Sequence, residues 1–143
     1  MITDKLVENA IKEIREAFAK QFQLKNPGEV DSFFIYGGCF YFAVALKLIF
    51  PEARLYNNIG HIVTNIGDKY YDYQGCGNLG EPVSPNKVKI KNDGEQYEYL
   101  YIQVDINDIS LNCFRQPEID KKALETSIMV ADNFDLYSYQ KQK

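Results

Sequence analysis

The stretch Tyr36-Gly37-Gly38-Cys39-Phe40-Tyr41-Phe42-Ala43-Val44-Ala45-Leu46-Lys47-Leu48-Ile49-Phe50-Pro51 decides how the rest of the chain is read. Two glycines allow a sharp backbone turn, a cysteine follows at once, and an apolar run continues without a breaker as far as Pro51. The pattern predicts a buried helix opened by Cys39. Unpaired amide hydrogens and the positive end of the helix dipole favour negative charge there, which suits a thiolate and the oxyanion its attack would create. Such a cysteine still needs a base.

Downstream, Gly60-His61-Ile62-Val63-Thr64-Asn65-Ile66 and Lys69-Tyr70-Tyr71-Asp72-Tyr73 flank Gly67-Asp68, two β-prone runs around a tight turn. With Gly67 and Asp68 as loop residues, opposed residue numbers sum to 135. Ile66 then pairs with Lys69, Val63 with Asp72 and His61 with Gln74. Strand side chains alternate, so Asp72 shares a face with Val63 and therefore with His61. As diagonal neighbours they are roughly 5 to 8 Å apart at Cβ, within reach of a carboxylate to imidazole hydrogen bond. A slip of one residue would put them on opposite faces.

The remaining chain frames these two elements. Leu6, Val7, Ala10, Ile11, Ile14 and Phe18 recur at helical spacing from Asp4 to about Lys20, with Lys5, Glu8, Lys12, Glu13, Arg15, Glu16 and Lys20 as the expected solvated face. Asn26-Pro27-Gly28 reads as a turn, and Glu29 to Tyr36 leads into the glycines. Ala53-Arg54-Leu55-Tyr56 is a short strand candidate. Gln74 to Asn86, rich in Gly, Pro, Asn and Ser, reads as a loop. Val88 to Ile90 is a strand candidate, Asn92-Asp93-Gly94 a turn, and Tyr97 to Ile106 a longer strand with Tyr97, Tyr99 and Tyr101 on one face. A last helix runs from Pro117 to about Met129, with Leu124 and Ile128 expected to face inward.

The 143 residues form one expected domain, 1–143, of α+β class, with helices packed on an antiparallel sheet. Hydrophobic residues at 45% and charged residues at 25% fit a folded globular chain rather than a disordered one. A net charge of -4 argues against nucleic acid as main partner, because phosphate binding needs a basic surface. Phe40 to Phe50 falls short of the roughly 20 apolar residues of a membrane span. Nor does Met1-Ile2-Thr3-Asp4-Lys5 read as a signal peptide, so a cytoplasmic location without membrane partners is expected. Three cysteines, Cys39, Cys76 and Cys113, suit thiols better than a disulfide framework.

A cysteine at a helix start, a histidine on a strand and an acid on the next strand supply nucleophile, base and orienter. On Gly37-Gly38-Cys39, Gly60-His61-Ile62-Val63 and Tyr71-Asp72, the chain resembles the papain-like cysteine hydrolase superfamily, especially its transglutaminase-like and small bacterial or phage peptidase branches. The resemblance covers about Tyr36 to Gly75. It implies a papain-like core, a Cys39, His61 and Asp72 triad, no cofactor and no metal, and a peptide or protein substrate carrying an amide. The glutamine that precedes the nucleophile in papain-type enzymes has no match here. The Cys39 amide is one oxyanion donor, and Tyr36, Gly38, Asn57, Asn58 and Gln74 are the candidates for the second donor or for substrate contact.

Plainer readings compete. A cysteine heading an apolar helix is often a small buried residue, a lone histidine is often structural, and a strand-end aspartate is often solvated. Zinc fits poorly, since no two of the three cysteines and one histidine share the short spacing of such sites. Cys76 and Cys113 read as structural or incidental. The sequence therefore supports a cysteine-dependent hydrolase or acyl-transferase, with a non-catalytic binding or inhibitor protein of phage or mobile-element type as the alternative.

Overall fold

Thr3 starts the first helix, its hydroxyl accepting from the Leu6 amide at 3.2 Å, and α1 runs Asp4–Gln21. In the computed structural model, residues 2–58, 61–67, 69–73, 89–90, 100–106 and 113–136 are described, with backbone alone at 58, 61, 89–90 and 100–104. The expected apolar stripe of α1 is buried, from Leu6 to Phe18. Arg15 is buried with it, which corrects its place on the solvated face. Its guanidinium has three acceptors to satisfy it and is not a bare charge in the core.

Asn26-Pro27-Gly28 is a helix start rather than a turn. The Asn26 side chain accepts from the Glu29 amide at 2.9 Å and Pro27 takes the first position of α2, Pro27–Phe33. Asn at the cap and Pro just inside it are the usual entry to a helix. A π-helical turn, Phe34–Gly38, follows, with Tyr36 (φ −97°, ψ 33°) and Gly37 (φ +132°) outside helical conformation. α3 then spans Cys39–Ile49 as expected, capped at Phe50 just before Pro51.

The helical run Pro27–Ile49 is 23 residues long and by length and composition passes for a membrane span, longer than the sequence suggested. It is kinked at Tyr36 and Gly37, and its α3 half is core: Phe40, Tyr41, Ala43, Ala45 and Leu46 are at most 1% exposed. Each large apolar side chain so buried gains about 2 kcal/mol from leaving water.

Among the described residues five strands form one sheet in the order β3-β2-β1-β5-β4. They are β1 Arg54–Asn58, β2 His61–Ile66, β3 Lys69–Tyr71, β4 Lys89–Ile90 and β5 Leu100–Val104. β4 lies parallel to β5 and the other pairs are antiparallel. The hairpin register is the expected one: Thr64 faces Tyr71, Asn65 faces Tyr70 and Ile66 faces Lys69, each pair summing to 135. Gly67 supplies φ +65° in its turn. Leu55, Ile62, Ile66 and Tyr71 join the core shared with α1 and α3.

The last helix, α4, spans Pro117–Asn133, longer than expected, and of its two expected inward residues Leu124 packs against the core while Ile128 does not. Ile128 is 42% exposed, while Asp120, Ala123, Thr126, Ser127 and Val130 are buried. Small residues let α4 approach α3 closely, and the Ser127 hydroxyl donates to the Tyr41 carbonyl at 2.7 Å across that contact. The architecture is thus α+β, helices on a largely antiparallel sheet. The expected loop 74–86, the turn 92–94, Val88, Tyr97 and Tyr99 lie outside the described residues, as does the side chain of Tyr101.

Candidate functional site

Gly37 and Gly38 are glycine for different reasons. Gly37 needs a positive φ, and a Cβ on it would come within 2.8 Å of the Phe114 ring and 3.3 Å of the Cys113 carbonyl. Gly38 has an ordinary φ of −83°, but a Cβ there would lie 2.7 Å from the Phe33 ring and 2.8 Å from its carbonyl oxygen. The turn is therefore packed against both α2 and the segment leading to α4, and it delivers Cys39 as the first residue of α3.

Cys39 is 9% exposed. Backbone amides of Ile62 and Phe40 near its sulfur favour the thiolate, while the Cys39 amide itself donates to the Phe34 carbonyl. Burial outweighs them and the neighbouring Cys113 thiol adds to it, so the Cys39 pKa is pushed up from 9.0 to about 11. At neutral pH only on the order of one sulfur in ten thousand is ionised in this state. A helix start is thus not enough to make a thiolate when the sulfur is withdrawn from water.

Two groups lie within electrostatic reach of the cysteine. One is Tyr73, 7% exposed, whose hydroxyl pKa is raised by burial and then by the charges of Asp72, Cys39 and Asp31. Tyr73 therefore lies within electrostatic reach of both Cys39 and Asp72. Its carbonyl accepts from Arg15 Nη1 at 3.0 Å, and the same nitrogen donates to Asp31 at 2.7 Å. The other is Cys113, whose segment packs against Gly37. The Asp120 carboxylate accepts from the Phe114 amide at 3.0 Å, the Gln116 amide at 3.3 Å and the Tyr41 hydroxyl at 2.5 Å. Burial and that carboxylate push the Tyr41 pKa far upward.

Of the residues singled out from sequence, Cys39 opens α3, Gly38 is buried at its N-cap, and Asp72 is 6% exposed just after β3. Tyr36 is 78% exposed on the turn. His61 begins β2 opposite Asn58, next to the Ile62 whose amide meets the Cys39 sulfur. The side chains of His61 and Asn58, and the whole of Gln74, Gly75 and Cys76, lie outside the described residues. Among the described residues no cluster of His, Cys, Asp and Glu is fit to hold a metal ion.

Sequence reasoning passed over Tyr73, the Ile62 amide and Cys113. Tyr73 adjoins Asp72, which was a usable signal. Nothing local marks Cys113, since it reaches Cys39 only through tertiary packing.

Fold and site together define a small α+β protein that buries a cysteine at the first turn of its core helix, within electrostatic reach of a tyrosine and a second thiol. The chain belongs to the Phage YunG-like protein family, whose model matches residues 10–128. That match overturns the assignment to papain-like or transglutaminase-like cysteine peptidases: the short Gly-Gly-Cys, Gly-His and Tyr-Asp segments are too brief to carry a superfamily. No curated protein and no solved structure matches the chain.

Proposed function

We propose that the protein is a cysteine-dependent hydrolase or acyl-transferase acting on an amide or thioester, with Cys39 as nucleophile. The observation that carries the reading is the Cys39 sulfur at the head of α3, with the Ile62 and Phe40 amides near enough to favour its thiolate. When the sulfur attacks a carbonyl, the new oxyanion forms beside it, and the same amides become candidate donors. The Ile62 amide then takes the donor role for which the sequence offered Tyr36, Gly38, Asn57, Asn58 and Gln74, and the Cys39 amide, bonded to the Phe34 carbonyl, does not serve.

In this reading His61, the only histidine, takes the thiol proton as general base and returns it to the leaving group. Asp72 orients the imidazole. Because the thiol is held protonated at rest, proton removal has to accompany substrate binding, so fast alkylation of the resting enzyme at neutral pH is not expected. The test is acylation by a simple phenyl thioester, with the adduct mapped by mass spectrometry. The reading requires an adduct on Cys39 that forms at least tenfold more slowly in His61→Ala, the effect usual for loss of a general base. Unchanged acylation in His61→Ala, or labelling confined to Cys76 and Cys113, would sink it.

The raised Cys39 pKa favours a second reading, a non-catalytic binding protein in which Cys39 is a core residue. Under it, Cys39→Ser keeps the full biological effect of the protein, whereas under the first it loses it.

A further inference from the structure

The segment before α4 packs on the Gly37 turn and carries a second thiol, Cys113, within electrostatic reach of the Cys39 sulfur. The Cys113 backbone is pinned on both sides of Cys39 in sequence: its carbonyl sits 3.3 Å from where a Gly37 Cβ would be, and its amide lies against the Tyr41 hydroxyl. Asp120 fixes this arrangement by holding Phe114, Gln116 and Tyr41 at once, and the Phe114 ring stacks on Tyr41 with centroids 6.0 Å apart. Neither cysteine is in a disulfide; Cys113 is exposed and Cys39 is buried. A disulfide requires two cysteine backbones held close together, and the Cys113 carbonyl against Gly37, two residues before Cys39, holds them so.

We propose that Cys39 and Cys113 are the two halves of a reversible intramolecular disulfide, formed in response to hydroperoxides. The exposed Cys113 sulfur attacks the peroxide oxygen, the O–O bond breaks, and sulfenic acid and an alcohol or water result. The Cys39 sulfur then attacks the Cys113 sulfur. The S–S bond forms, the S–OH bond breaks, and the departing hydroxide takes the Cys39 proton as water. Two thiols lose two electrons in all, and a dithiol reductant returns them. The order follows from exposure, since peroxide reaches Cys113 before Cys39. The proposal does not depend on Cys39 being catalytic; if it is, the disulfide would also switch the nucleophile off.

The experiment uses the reduced full chain with hydrogen peroxide, quenched with N-ethylmaleimide and mapped by proteolysis without reductant. The expected product is a Cys39–Cys113 cross-linked peptide, reversed by dithiothreitol, lost in Cys113→Ser and kept in Cys76→Ser. It should form about tenfold faster in the native protein than in urea, because the fold raises the effective concentration of one thiol at the other. Linkage through Cys76, linkage only between chains, sulfinic acid at Cys113 without any link, or equal rates in urea would each overturn the proposal.

Discussion

Arg15 on α1 and Asp120 on α4 both bury an ionic head beside the Cys39 turn, and they are satisfied in different ways. Arg15 has a true counter-ion, Asp31, whose side chain is 36% exposed, together with the carbonyls of Tyr73 and Pro27. Asp120 pairs with no cation among the described residues. It is held by two amides before and at the start of α4 and by one phenol. A half-wet pair can rehydrate when it is broken, whereas a carboxylate compensated only by buried dipoles leaves those dipoles stranded. Both clusters position groups within electrostatic reach of Cys39, Tyr73 through Arg15 and Cys113 through Asp120. The site is thus positioned by long-range polar contacts as much as by the glycine turn.

The difference predicts unequal mutational costs, measured as urea midpoints at constant m. Asp120→Ala should cost about 3–5 kcal/mol, since the Tyr41 hydroxyl and the Phe114 and Gln116 amides all lose their acceptor. Asp120→Asn, which keeps the shape and one acceptor oxygen, should cost about half as much. A smaller loss for Asp120→Ala than for any change at Arg15 would reverse the ranking. Next in size is an alkaline effect. Both folded and unfolded chains hold the Cys39 proton below pH 9, so nothing is lost there. Between 9.0 and about 11 only the unfolded chain ionises, and stability falls by on the order of 2 kcal/mol. Cys39→Ser should flatten that fall in pH-dependent urea melts. Tyr41, also raised, acts alike in parent and variant, while Tyr73 loses the Cys39 charge in the variant, which flattens the fall further. An equal slope in both proteins would place the burial penalty elsewhere.

What was legible in the sequence was local. The stripe from Leu6 to Phe18, the Gly37-Gly38-Cys39 start and the hairpin sum of 135 follow from periodicity and turn chemistry, and all three hold. The misreadings share one cause. Arg15 looked solvated because its acceptors lie on α2 and after β3, and Ile128 looked buried because hydrophobicity was weighed above size at the α3 contact. Cys39 looked like a ready thiolate because the helix start is visible in sequence, while the burial of its sulfur and the donation of its amide to the Phe34 carbonyl are not. Short motifs also suggested a superfamily that the whole-chain match replaced.

Arg15→Met tests the wetter cluster. The methylene stem is kept, Asp31 turns to water, and the Tyr73 and Pro27 carbonyls lose a donor, for an expected loss of about 1–2 kcal/mol. Because Arg15 grips Tyr73, the same variant should alter the alkaline slope assigned to Cys39, and Asp120→Asn should alter it from the Cys113 side.

The smallest effect belongs to a pair outside both clusters. Asp4 accepts from Lys69 and from the Tyr71 hydroxyl, tying the start of α1 to the hairpin, and its side chain is 52% exposed. The Lys69 hydrogen bond holds its carboxyl below the usual 3.8. A depressed value contributes stability above the unfolded pKa and loses it as the pH falls through the folded one. Any benefit is therefore present at pH 7 and gone in strong acid. Exposure and salt screening limit Asp4→Asn to less than about 1 kcal/mol at neutral pH, shrinking further in 1 M salt. A loss as large as that of Arg15→Met would mean that the hairpin is anchored to α1 by this pair rather than by Tyr71 and Ile66 in the core, and that solvent exposure does not rank the polar contacts of this fold.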